Sequence, residues 1–168
     1  RRESYRALRE IAPAASVPEL AALLSAAPTA ADRREMERTL AATLRRNLQA
    51  PLAPVEKELS AAKTVEARAS LLTVLGQSAR DDALPRLRTA LSDSDAAIRR
   101  AAVLALTEWP AAGPAADLLA AAQSGAEQAI RILALRGYIR LVSAPSERPP
   151  AEVARELAEA LKASPQTE

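Results

Sequence analysis

The sequence predicts an all-α fold: a right-handed α-α superhelix, or solenoid, of about four to five antiparallel helix pairs. Three observations predict it. Val and Ile are few and nowhere alternate with polar residues over the length of a strand. Proline, glycine and helix-capping residues cut the chain into ten short helical segments. The longer segments also repeat one another at an offset near 31 residues, which marks stacked helix hairpins and is not required of a simple bundle.

Each segment has its own start or stop signal. The first, 5–11, ends before Pro13. Ser16 is expected to cap the second, with Pro18 in its first turn where a missing N–H costs little; it runs to about residue 26. Thr29 caps a long helix through 46. A short helix covers 51–61, and Thr64 caps the next, which is expected to stop at Gly76. Another spans 81–91. Ser94 or Asp95 starts the helix that ends at Trp109-Pro110. Pro114 opens a helix to about 122, and Gly125 precedes one that reaches 142. A Pro-rich loop follows over 143–150, then a last helix over 152–162, and a tail from 164 that is expected to fray.

The segments alternate in kind. One of each pair is short and starts with proline; the other is longer and nearly apolar all round. Among the longer ones, Ile98-Arg99 corresponds to Ile130-Arg131, Arg68 lies 31 residues before Arg99, and Arg38 lies 30 before Arg68. Leu75, Leu106 and Tyr138 stand seven residues after Arg68, Arg99 and Arg131. Asp95 and Glu127 each precede an arginine by four, the favourable acid-first order on a helix. The repeat units are therefore about 16–48, 51–76, 81–109 and 114–142, with partial units at 1–12 and 151–163, forming one repeat domain over 1–168. A helix of this length is marginal alone in water. Stacking supplies the missing burial: Ile98, Ala101, Ala102, Ala105 and Trp109 line one side of their helix, and Val103 and Leu106 another.

The stretch 82–106 resembles a HEAT repeat of the short bacterial type. Leu84-Pro85 opens its first helix, Asp93 to Asp95 form the acidic turn, and Ile98-Arg99 with Ala101-Ala102 open its second helix. Unit 114–142 follows the same pattern with Gly125 in place of the acidic turn, while Arg38 and Arg68 lack the preceding acid. The resemblance implies scaffolding and no single activity. It also implies that the second helices line the concave face of the stack.

Composition narrows the function further. There is no His and no Cys, which excludes disulfides, the common metal sites and the usual catalytic triads; neither a cofactor nor an enzymatic activity is expected. The resemblance to HEAT-like iron hydroxylases is weakened for the same reason, since their ligands include His. Asp93-x-Asp95 fails as a calcium loop, because its sixth position is Ile98 instead of Gly and its twelfth is Leu104 instead of Glu. No glycine-rich phosphate loop exists: Gly76, Gly113 and Gly125 read as turn or cap residues, and Gly137 as a point of close helix packing. The acid pairs Asp81-Asp82 and Glu56/Glu58 read as solvated surface. No apolar run is long enough to span a membrane. The net charge is +2, with acids and bases interspersed, so nucleic acid is a possible but not a favoured partner. The excess of Arg over Lys suits a high-GC bacterial genome. The start at Arg1-Arg2-Glu3, without an initiator Met, is expected of a section of a longer protein. The expected partner is thus another protein or another domain of the same parent chain.

The candidate contact residues are Arg100, Arg136 and Arg140, all on second helices, with Arg enriched in binding hot spots; their alternative is an ordinary solvated face. Trp109 has two readings. A lone Trp in an Ala-rich stack fills the gap between helix pairs; HEAT-like DNA glycosylases instead use aromatic residues on a basic face. Asp95, Arg99, Glu127 and Arg131 are expected to form a structural ladder, each Arg pairing with the acid of its own or the next repeat.

Overall fold

The computed structural model describes residues 2–125, 127–145 and 148–163. Residues 146 and 147 of the Pro-rich loop, and the tail from 164, lie outside the described residues. Ten α-helices account for the described chain, with no strand among the described residues: α1 (Arg2–Ile11), α2 (Val17–Ser25), α3 (Ala30–Arg46), α4 (Ala53–Ala61), α5 (Val65–Ser78), α6 (Leu84–Leu91), α7 (Ala96–Thr107), α8 (Ala115–Ser124), α9 (Gln128–Val142) and α10 (Pro150–Ala163). Short 3-10 turns, Ala14–Ser16 and Asp81–Ala83, lead into α2 and α6.

The capping chemistry explains most starts. Thr29 and Thr64 adopt extended backbone and accept from the amides of Asp32 and Ala67 at 3.1 and 3.2 Å. Asp95 accepts from Ala97 N–H at 2.8 Å, placing a negative charge at the positive end of α7. The even-numbered helices begin with Pro18, Pro54, Pro85, Pro114 or Pro150 at or beside their first residue.

Three expectations need correction. Ser16 does not cap with its side chain: its backbone is helical (φ −82°, ψ −7°), being the last residue of a 3-10 turn, so the hydroxyl is not presented to the following amides. Gly76 does not stop α5. The helix continues to Ser78, whose buried hydroxyl donates to Leu75 O at 2.7 Å, and terminates on Ala79 in the left-handed region at φ 55°, ψ 34°. The third concerns register. Met36, Leu40 and Leu44 are buried like Ala67, Leu71 and Leu75, like Ile98, Ala102 and Leu106, and like Ile130, Ala134 and Tyr138. That pattern places Glu37, not Arg38, at the position of Arg68, Arg99 and Arg131, and makes Arg38 the counterpart of Ala69 and Arg100.

The helices cluster into two compact units, Arg1–Thr89 and Ala90–Glu168. In the first, α1, α3 and α5 lie side by side as one layer; α2 and α4 form the second layer and pair with α3 and α5. Leu20, Leu24, Leu40, Leu44, Leu71 and Leu75 fill the space between the layers, each contributing about 1.5–3 kcal/mol of burial. In the second unit α7 and α9 form one layer, α8 and α10 the other. Ile98, Leu106, Trp109, Leu118, Tyr138 and Leu141 are its main core residues.

A small-residue core brings backbones close. A Cβ on Gly137 would stand 2.1 Å from Thr107 Cγ2 and 3.1 Å from Leu118 Cδ1, so glycine lets α9 settle against α7 and α8. Buried hydroxyls in these layers are satisfied within their own helices. Thr43 donates to Thr39 O at 2.9 Å, Thr39 to Glu35 O at 2.8 Å and Thr107 to Leu104 O at 2.8 Å.

Candidate functional site

The outer surface of the α7/α9 layer is set by the helical period. On α7, Arg100, Leu104 and Glu108 recur every four residues and are exposed. On α9, Arg136 and Arg140 occupy the register positions of Leu104 and Glu108, and Ile139 lies beside them, all exposed. The fold thus gathers Arg100, Arg136 and Arg140 on the outward rows of two adjacent helices, with Leu104 and Ile139 exposed at 41% and 39% between them. Arg100 and Arg136 make no ion pair among the described residues. Arg140 is partly committed, since its Nη2 donates to the carbonyl of Trp109 at 2.7 Å.

Trp109 itself is not a surface residue. Only 1% of it is exposed, and it closes the core at the end of α7. Its candidacy as a partner contact is therefore corrected: a side chain of that size, placed where the helix stops, fills the gap between helix pairs. Tyr138 is core as well. Its hydroxyl donates to Glu156 O at 3.0 Å, and burial, then the charges of Glu156 and Glu159, push its pKa above the usual phenol value.

The four ladder residues take different roles. Arg99 forms an ion pair with Glu127 of the following repeat and donates to the carbonyls of Asp93 and Ser94 at 2.7 and 2.9 Å. Asp95 acts as the α7 cap. Arg131 lays its stem over Gly125, with Nε buried and without a hydrogen-bond partner among the described residues. Such partly exposed pairs contribute about 1 kcal/mol or less each.

A second set of arginine contacts was not anticipated. Arg46, which shares its register position with Arg140, donates to the carbonyls of Arg9 and Ala12, the latter at 3.0 Å. Arg140 does the same to Trp109. Arg80, just beyond α5, donates to Ala50 O at 2.5 Å while held by Asp82. In each case a guanidinium from one helix of a layer, or from just past its end, satisfies a carbonyl beyond the C-terminus of its neighbour, where the helix leaves acceptors unpaired. The sequence signal was an arginine near each helix end, facing carbonyls that only the fold brings near.

Nothing on this surface points to catalysis. Asp82 and Glu56, from the two acid pairs, are held by Arg80 and Arg86. Among the described residues no group of His, Cys, Asp and Glu could hold a metal ion. No helix of the described residues is long and apolar enough to cross a membrane. A cleft of about 490 Å³ in the first unit is lined chiefly by Ala14, Val17, Pro18, Leu48 and Pro51, with Arg46 as its charged member; it holds no nucleophile or acid.

Comparison with known proteins gives one match. A family model described as HEAT repeats covers residues 52–139, just over half of the chain. No curated protein and no solved structure matches. The matched span takes in α4 through most of α9, including the helix hairpins whose buried positions recur at 31 to 32 residues. The chain belongs to the HEAT-repeat family.

Proposed function

We propose that this chain is a non-catalytic protein–protein interaction scaffold, and that the α7/α9 face receives an acidic or extended segment of a partner, either another protein or another domain of the parent chain. HEAT repeats are commonly protein-interaction scaffolds and generally non-catalytic. The observation that carries the reading is the shared exposure of Arg100, Arg136 and Arg140 around Leu104 and Ile139. Cationic, planar donors beside small apolar patches suit a carboxylate-bearing segment. On this reading the α7/α9 layer is the concave layer of the stack, and the Arg99–Glu127 pair fixes its geometry.

Selection of displayed peptides against the chain tests this. Enrichment of Asp- and Glu-containing peptides is expected, with affinity falling about tenfold, roughly 1.4 kcal/mol, in a chain carrying Arg100→Glu and Arg136→Glu. Peptides that bind this variant as well as the natural chain would remove the site, and no enrichment at all would remove the reading.

Phosphate-backbone binding is the competing reading, with a HEAT-like DNA glycosylase a remoter one. It is disfavoured here by charge: the second unit has 8 basic against 10 acidic residues, a net of −2. Duplex or single-stranded DNA binding tightly at low salt, with a steep salt slope, would reverse that preference.

A further inference from the structure

We infer that the first unit carries a docking face of its own, on the outer surface of α3 and α1, for an acidic amphipathic segment of a partner protein. The inference goes beyond the α7/α9 reading and does not depend on it.

The face is built by α3. At 100° per residue, Arg34, Arg38 and Arg45 fall within an arc of about 40° on that helix, and all three are exposed. Arg34 makes no ion pair or hydrogen bond among the described residues. Arg45 uses Nη1 on the carbonyl of Gln77 at 3.0 Å, which steadies it along the outer surface. Arg38 touches Glu35 at 3.0 Å, but Glu35 is shared with Arg9 at 2.7 Å, so two guanidiniums surround one carboxylate. The remaining acid of this helix turn, Glu37, lies about 100° round from Arg38. The neighbouring row of α5, Thr73 and Gln77, is uncharged. At the level of the unit the same sign prevails: 15 basic against 11 acidic residues, a net of +4.

Beside this row α1 presents an apolar lip. Ile11 is 73% exposed and Leu8 37%. The two lie a helical turn apart on one side of α1, and Glu10 points to the opposite side of the helix from Leu8. Tyr5 and Arg9 face α3 and tie the helices together, through Thr39 to Tyr5 O at 3.4 Å and through Arg9 to Glu35. A cationic row flanked by two large aliphatic side chains complements a segment with carboxylates on one side and leucine-like side chains next to them. A nucleic-acid backbone would satisfy the arginines and leave Ile11 and Leu8 in water.

The test is fluorescence anisotropy with the whole chain and a labelled peptide of Glu, Ala and Leu with its leucines on one face. A scrambled peptide of the same composition, single-stranded DNA and duplex DNA serve as the other probes. The amphipathic peptide is expected to bind, to weaken about tenfold in a chain carrying Arg34→Glu and Arg38→Glu, and to weaken about threefold in Ile11→Ser. All three positions are exposed, and an unchanged circular-dichroism melt confirms that each variant is folded. The scrambled peptide is expected to bind more weakly. The inference is overturned if no peptide binds, if the scrambled peptide binds equally, or if the α3 variant retains full affinity. It is also overturned if only Arg100→Glu with Arg136→Glu abolishes binding, an outcome that leaves the α7/α9 proposal standing. Tight DNA binding in place of peptide binding overturns both.

Discussion

Gly137 shows how two local effects of opposite sign are decided by distance. Replacing a helical glycine by alanine favours the helix by about 1 kcal/mol. Here the new methyl would begin 2.1 Å from Thr107 Cγ2 and 2.9 Å from its Cβ, inside van der Waals contact on a buried β-branched side chain. Overpacking of that kind costs about 1–3 kcal/mol and should exceed the gain. Gly137→Ala is therefore expected to lower the urea midpoint with an unchanged slope; a raised midpoint would mean that Thr107 moves aside freely. Tyr138 gives a pH prediction. Its folded pKa is raised above 10.0, so between the unfolded and folded values the folded state holds a proton that the unfolded state has lost. Its contribution is fully present below pH 10 and disappears as pH rises through the folded value. Tyr138→Phe should thus flatten the alkaline decline in stability relative to the natural chain, measured by denaturant titrations at several pH values. At this scale the sequence was readable where a residue type has one use. A lone Trp in an Ala-rich stack and a glycine inside a helix both announced close packing. Arg140 was not readable as a carbonyl donor, because its acceptor lies 31 residues away in sequence.

Helix boundaries show the same contrast between chemistry written in the chain and chemistry created by folding. Thr29, Thr64 and Asp95 cap as their residue types indicate, and the prolines open the even-numbered helices. Ser16 carries the same signal but sits in a 3-10 turn whose backbone withholds the hydroxyl. This separates two otherwise similar substitutions. Thr64→Ala should lower stability by about 1 kcal/mol, while Ser16→Ala should leave it nearly unchanged. Equal losses in thermal melts would show that Ser16 caps in solution. The end of α5 was illegible for another reason: Ala79 has no preference for the left-handed region, and nothing in its type marks a stop. The one-residue slip at Arg38 arose because arginines repeat by type, whereas the true register is set by which of Leu40 and Leu44 the core accepts. The cationic row of α3 was also hidden. In sequence its arginines alternate with Asp32, Glu35 and Glu37; only the helical period separates their directions.

Across the molecule, the division into layers of neighbouring helices was legible from the repeat, since each hairpin has apolar faces that only its neighbours can cover. Cohesion should follow the same logic. In the first unit α3 has α1, α2 and α5 around it, and α5 has α2, α3 and α4, while α1 leans on α3. Hydrogen-exchange mass spectrometry should find α3 and α5 the most protected elements of that unit and α1 the least; protection of α1 equal to α5 would contradict it. How the layers adhere has a consequence for conditions. Arg46 and Arg140 reach across their layers to peptide carbonyls, not to carboxylates. A guanidinium keeps its proton throughout the range in which proteins fold, and a carbonyl has none to gain. Acid that protonates Glu127 dissolves its bond to Arg99, but it leaves these two clasps intact, so the seams at Ala12 and Trp109 are built to outlast the ion pairs beside them.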